Sequence, residues 1–457
     1  MVKSSYPVSE PTKTLSTYMA GALKKKLPPN VVEKTKHHIL DTFAAIISGS
    51  RLVPGERSIH FIKTQGGVKE ATVIGSSFQT SAINAALANA ISAHADETDD
   101  SHFRANMHPG SVVVPAALAV AEREGSSGQD LMRAVALGYD IGARINMVIG
   151  TENLRKKSLD SHSFGGSFAA GAAAGALLKL NAQQMRFVLS YAAQQTSGIR
   201  TWRRDPEHVE KAFDFSGMSA RNGVTAALMV DDGFTGVDDV FAGDPNYFDI
   251  YVDKPKRSEF TDRLGKCHEI VYTNIKKWSV GSPVQSPLDA MEELIRTHKF
   301  AADDIDKVVA ILPTERVSTV DNRDMPDINL QHLLSLMILD GTVTFHSTHD
   351  YERMKDPKAL AIRRKISLKG SDMLTKARPG RQAIVEIYPK KGRKVSKRIR
   401  AVRGTADNPM SREEVEAKAL DLIAPILGKA RARKLVDAVW SLEKMKDARK
   451  LRPLLTA

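Results

Sequence analysis

Residues 165–180 read GGSFAAGAAAGALLKL. Gly and Ala dominate the stretch, and no charge interrupts it before Lys179. Side chains this small let helices approach closely, and a segment apolar on every side needs neighbours on every side. A helix at the centre of a packed bundle is expected, and the flanking sequence agrees. Residues 31–48 place Val31, Val32, Ile39, Phe43, Ile46 and Ile47 near a 3.6-residue period. Residues 81–95 and 111–124 are Ala- and Val-rich with few polar positions and read as buried helices. Residues 128–148 are amphipathic and open on Ser127 as N-cap, with Asp130 favourable to the helix N-terminus. Residues 181–196 and 217–230 continue the pattern. After about residue 265 the texture changes. Short β-branched runs at 307–313, 364–368, 383–388 and 396–402, bounded by Gly, Pro and charge, read as strands. Helices at 287–298 and 329–340 alternate with them. From Ser411 the chain returns to helix, with Ser411 and Glu414 spaced as a capping box. The expected fold class is mainly α: a large all-helical domain of residues 1–268 plus 406–457, with a smaller α+β domain of residues 269–405 inserted before the C-terminal helices.

The 457-residue chain is 42% hydrophobic and 26% charged, values of a soluble globular protein. Residues 1–20 carry no apolar run of the signal-peptide kind, and no stretch matches a membrane span, so a cytoplasmic location is expected. Cys267 is the single cysteine, which excludes an intrachain disulfide and a cubane cluster held by several Cys thiolates. The net charge of +13 is unevenly spread: residues 353–403 hold 18 Lys and Arg against Asp356, Asp372 and Glu386. Such a block is read first as a solvated sheet face and second as a funnel for anionic substrates. Nucleic-acid binding ranks last, because Tyr351 and Tyr388 are almost the only aromatic residues nearby for stacking.

The densest polar cluster is HADETDDSHFRANMHPG, residues 94–110, between two nearly apolar helices. Its acids and histidines are costly to bury unless paired with one another. The histidine spacing matches no HExxH-type zinc signature and the acids are not in EF-hand order, so no metal is expected. General acid–base chemistry, with a carboxylate setting a histidine tautomer, and a plain exposed acidic loop both remain open on the residues alone. Neither GxGxxG, GxxxxGK[ST] nor GxSxG occurs, so nucleotide-binding and nucleophile-elbow readings find no motif.

Taken together, HADETDDSH…HPG resembles the H-x-x-D-[FY]-D-D…HP[GS] signature of the MmgE/PrpD family. GQDLMRAVALGYDIGARI, the Gly/Ala helix with its LNAQQMRFVLSYAAQQTSG sequel, EKAFDFSGMSARNGVTAALMVDDGFTG and TNIKKWSVG are similar to further family segments in the same order, over about residues 35–345. The resemblance implies a helical domain with an α+β lid, usually as a homodimer. It also implies a cofactor-free enzyme acting on a small anionic di- or tricarboxylate by proton abstraction next to a carboxylate. The family's activities include 2-methylcitrate dehydratase, cis-aconitate decarboxylase and iminodisuccinate epimerase; a dehydratase-type lyase is placed first, with isomerase, decarboxylase and a non-catalytic binder as alternatives.

Carried over residue by residue, His108 matches the HP[GS] histidine and is the implied proton-transfer group. Glu97 stands where the family has Asp, while Asp99 and Asp100 match its DD pair; a carboxylate here would orient His108, and Asp100 would also touch substrate. Lys211 and Lys276 match family lysines and would bind carboxylates and stabilise an enolate-like state. His162 lies about two positions from the family's histidine before the Gly/Ala helix, where Asp160 aligns, and is a candidate substrate contact. The family's second histidine after the lysine of TNIKKW is replaced, with Gly281 and Gln285 at the candidate positions. Arg200, Arg203 and Arg204 have no family counterpart: Arg204 is a candidate for a carboxylate clamp, and capping of the preceding helix is the competing role.

Overall fold

The Gly/Ala stretch forms the helix Ser161–Leu177, and every one of its residues is buried. The computed structural model describes residues 7–457. The helix starts before the Gly pair because Asp160 caps it, its Oδ1 accepting the His162 backbone N–H at 2.8 Å. It ends at Leu177; Lys179 then takes a φ of 58°, and Asn181 with Gln184 forms the capping box of the helix Ala182–Gln194.

Two close approaches explain the composition. A Cβ on Gly142, in the helix Gly128–Ile149, would stand 2.7 Å from Ala169 Cβ and 2.9 Å from Gly165 O. A Cβ on Gly223, in the helix Met218–Asp231, would come within 2.4 Å of both Ala170 Cβ and Gly171 N. At these crossings only hydrogen fits between the backbones. The helices Pro29–Gly49, Ala82–Ala93 and Pro109–Glu124 complete the surrounding layer, with Ile39, Phe43, Val113 and Leu118 buried among their apolar residues. Ser127 caps Gly128–Ile149, accepting the Asp130 N–H at 3.1 Å.

The chain divides into two compact units, one running to Thr273 and resumed at Leu422–Ala457, the other Asn274–Asp421. The C-terminal segment is bonded into the first unit. Lys36 Nζ donates to Trp440 O at 2.7 Å and pairs with Glu443 at 2.6 Å. Buried Glu122 accepts from Arg452 Nε at 3.2 Å and from Thr72 N at 2.7 Å.

The second unit is α+β. Its four-stranded sheet runs Ile366–Ser371, Ile305–Pro313, Ala383–Pro389, Val395–Ile399. The first pair is parallel, with Val308 opposite Ile366, and the other two are antiparallel. The helices Gln285–His298 and Leu330–Asp340 supply Leu288, Met291, Leu333 and Met337 to a core shared with Val308, Leu312, Val385 and Ile387. Ser411 and Glu414 form the expected reciprocal cap, Ser411 N–H donating to Glu414 Oε2 at 2.8 Å and Glu414 N–H to Ser411 Oγ at 3.3 Å. The fold is thus mainly α. Among the described residues no helix is long and apolar enough to cross a membrane.

The crossing at Gly223 is open to a stability test. Gly223→Val is expected to cost about 1–3 kcal/mol or more through overpacking, read as a lower urea midpoint. An unchanged midpoint would contradict the close approach.

Candidate active site

The polar cluster is the loop between the helices Ala82–Ala93 and Pro109–Glu124, with His94 as the C-cap of the first and His108 as the N-cap of the second. What pins the loop is Asp100. This fully buried carboxylate accepts from Tyr139 Oη at 2.6 Å, His38 Nδ1 at 2.8 Å and Gly110 N at 2.9 Å. Burial and the Asp100 charge together push the Tyr139 phenol well above its ordinary value. The residue read as a substrate contact is therefore turned into the protein, engaged by three of its own groups.

Asp99 faces a different set of partners. Its Oδ1 accepts from His108 Nδ1 and its Oδ2 from His94 Nδ1, each at 3.0 Å. One buried carboxylate thus orients two imidazoles, whose ring centroids lie 4.9 Å apart. With Nδ1–H turned to Asp99, Nε2 is the basic atom of each neutral ring.

The remaining groups come from distant chain. His162, on the first turn of the central helix, lies 5.2 Å from His108 between ring centroids and stacks on Phe215 at 3.7 Å. Its Nδ1 donates to Asp160 Oδ1 at 2.5 Å, and Trp202 Nε1 donates to Asp160 Oδ2 at 2.8 Å. Burial works to raise the Asp160 carboxyl, but the His162 and Trp202 bonds hold it below the ordinary carboxylate value. Lys211 pairs with Glu97, and its ammonium lies 5.0 Å from the Phe215 ring centroid and 5.5 Å from that of Trp202. Glu97 thus engages Lys211, while Asp99 does the orienting of His108. A π-helical turn, Phe213–Gly217, carries Phe215 into this group.

His208 completes the cluster, its ring 5.3 Å from that of His94. Burial first, then Lys211 and His94, depress its pKa well below the ordinary imidazole value, which keeps it neutral. His94 Nε2 and His208 Nε2 are buried with no hydrogen-bond partner among the described residues. Two sets, His94–Asp99–His108 and His94–Glu97–His208, bring ligand-type atoms within 4.8 Å of one another. In the first, Asp99 is already bonded to both histidines; in the second, Lys211 would compete with a cation for Glu97.

The structure therefore gathers His108, Asp99, Glu97, Lys211 and His162. Arg203 and Arg204, on the short turn Arg200–Arg204, are exposed and form no ion pair among the described residues. Lys276 belongs to the second unit. Gln285 is occupied within that unit: it accepts from Trp278 N at 3.1 Å and donates to the carbonyls of Trp278 and Val280. Gly281 lies so close to Ile328 that a Cβ there would meet its Cδ1 at 2.2 Å. Reading the sequence left His94, Asp160, Trp202, His208 and Phe215 without assigned roles. Of these, His94 is marked as the first residue of the polar stretch and Asp160 by its alignment with the family histidine.

The MmgE/PrpD N-terminal domain matches residues 13–259 and the MmgE/PrpD C-terminal domain matches residues 278–444. The chain is 24% identical over 493 residues to the cis-aconitate decarboxylase-like protein oryM of Aspergillus oryzae, covering 100% of this chain and 99% of that protein. It is 24% identical to a cis-aconitate decarboxylase of Aspergillus terreus, covering 94% and 92%. The cis-aconitate decarboxylase of Homo sapiens is 23% identical, covering 97% and 94%.

Asp214 lies on the same π-helical turn as Phe215 and is 7% exposed. Its Oδ2 is buried without a hydrogen-bond partner among the described residues. Burial, then Asp160 and Glu210, push its pKa up to about 8. The folded carboxyl therefore keeps its proton across a range where the unfolded one, ionising at about pH 4, has lost it. In that window the unfolded state binds fewer protons, so stability falls as pH rises from about 4 to about 8 and this contribution is level above. Asp214→Asn removes the titration. Its stability relative to the parent should grow across that interval in denaturation series at several pH values; a pH-independent difference would contradict the assignment.

Proposed function

This chain belongs to the MmgE/PrpD family, and from that premise we propose that it is a cofactor-independent lyase that moves a proton at a carbon next to a carboxylate of a small di- or tricarboxylate. The observation that carries this reading is the sharing of Asp99 between His94 and His108. A buried carboxylate on Nδ1 sets the tautomer, leaves Nε2 to exchange the substrate proton, and stabilises the imidazolium once formed. The His162–Asp160 pair beside His108 supplies a second imidazole, so that one ring can accept a proton while the other donates. Charge builds on the substrate carbon and its carboxylate as the reaction proceeds, and a fixed cation stabilises that state. Lys211 fits this role: a substrate carboxylate would take the place of Glu97 on its ammonium, exchanging one anion for another.

Within this reading, the names of the fungal and human relatives favour decarboxylation. The bond to one carboxylate carbon breaks, CO2 leaves, and the electron pair stays on a carbon conjugated with a remaining carboxylate. The imidazolium then protonates that carbon system. Dehydration would use the same groups, with proton removal from carbon and loss of hydroxide that leaves as water.

Incubation with cis-aconitate in heavy water tests the assignment by NMR. Loss of CO2 with one deuterium bonded to carbon in the product is expected, whereas release or addition of water would assign the dehydratase-type reaction. His108→Ala and Asp99→Asn should each lower the rate by about 10²–10⁴-fold, the usual scale for losing a positioned acid–base group. Full activity in His108→Ala, or no turnover and no deuterium incorporation across a panel of polycarboxylates, would refute the proposal.

A further inference from the structure

The basic block of residues 353–403 has no part in the chemistry above, and its 18 cations differ in their partners. Some are neutralised within the second unit. Arg353 pairs with Asp340 and Asp356, Lys355 with Glu352, Lys394 with Glu386, Lys397 with Glu293 and Arg403 with Glu414. In contrast, Lys376, Arg378, Arg398 and Arg400 form no ion pair among the described residues, and all four line one pocket of about 510 Å³ that has no acidic side chain in its wall. That volume suits a small ligand.

One of these cations is held in place without being neutralised. Gln382, 3% exposed, accepts from Arg398 Nε at 3.1 Å and Nη2 at 2.8 Å, and its own Nε2 donates to Pro379 O at 2.9 Å. A buried neutral amide fixes the guanidinium plane and leaves its full charge, in contrast to Arg403 on the carboxylate of Glu414. Four like charges around one cavity repel each other, and a ligand with a single negative charge would offset little of that. Several adjacent negative charges would. Phosphate groups match the guanidinium fork by paired hydrogen bonds. Met373, 54% exposed, and Pro379 form an apolar wall on the same pocket, suited to the uncharged part of a ligand. Among the described residues no aromatic side chain lines it, so the stacking platform of a single-stranded nucleic-acid site is lacking there.

From this we infer that the pocket formed by Lys376, Arg378, Gln382, Arg398 and Arg400 binds a small ligand bearing a polyphosphate chain. The chemistry is shared by nucleoside triphosphates and inorganic polyphosphates. The site belongs wholly to the second unit, whereas the imidazole cluster belongs to the first.

The test is isothermal titration of the full chain with ATP, inorganic tripolyphosphate, citrate and a short single-stranded RNA at low salt. ATP, tripolyphosphate or both should bind, and binding should weaken as salt rises through the physiological range. Preference for ATP would identify the nucleotide as the source; equal binding would assign recognition to the phosphate chain alone. Arg398→Gln should weaken binding by about tenfold or more, the scale of a lost charge-assisted pair. Because Arg398 also contacts Gln382, the double variant Lys376→Ala/Arg400→Ala, at two exposed positions, checks the result with little risk to the fold, and it too should weaken binding. Absence of polyphosphate binding, binding unchanged in both variants, citrate binding as tightly as tripolyphosphate, or binding of RNA alone would each overturn the inference.

Discussion

The first unit depends on how close its helices come to the helix Ser161–Leu177. At Gly142 and Gly223 the neighbouring backbones approach to distances that no side chain survives. That approach brings the N-terminal end of the central helix against the 94–108 loop, and hydrogen bonds hold it there. Asn146 Nδ2 donates to both Ala105 O and Ser161 O, at 3.0 and 2.8 Å, and Asn106 Nδ2 donates to Ser161 Oγ at 2.8 Å. The Asp160–His162 pair on the first helical turn is thereby set beside His108. Packing in the core thus becomes geometry at the site.

The cluster also shows how charge is tolerated out of water. Asp99 and Asp100 are adjacent and fully buried, which would be prohibitive for two unpaired carboxylates. Their partners divide between them: Asp100 takes His38, Tyr139 and a backbone N–H, and Asp99 takes His94 and His108. Nearby groups lacking such partners avoid charge instead. His208 stays unprotonated, and Asp214 keeps its proton to about pH 8. Charge is therefore concentrated on the pairs that face one another.

The second unit treats its positive charge by similar logic with a different result. Carboxylates from several elements neutralise part of the basic block, and a buried amide, Gln382, fixes Arg398 while leaving its charge intact. Composition shows the excess of cations, but not which of them lack partners, because Glu293 and Glu414 lie outside the block in sequence.

Local sequence was enough to determine the helical body. A Gly/Ala-rich segment has no alternative to a crowded interior, and caps such as Ser127 with Asp130 and Ser411 with Glu414 act within three residues of themselves. The polar stretch at 94–110 was legible as well, since it stands out between two nearly apolar helices, and Lys211 was marked by its resemblance to a family lysine. Tertiary structure alone decided the rest. Asp99 and Asp100 are the same residue type at consecutive positions, and only the opposite directions of their side chains separate a group that orients histidines from one that anchors the loop. Glu97 meets Lys211 across more than a hundred residues, and Asp160, His208 and Phe215 join the cluster from three separate elements. A side chain's chemistry is intrinsic to the residue, but its partner depends on which distant backbone packs against it, and no short-range pattern encodes that.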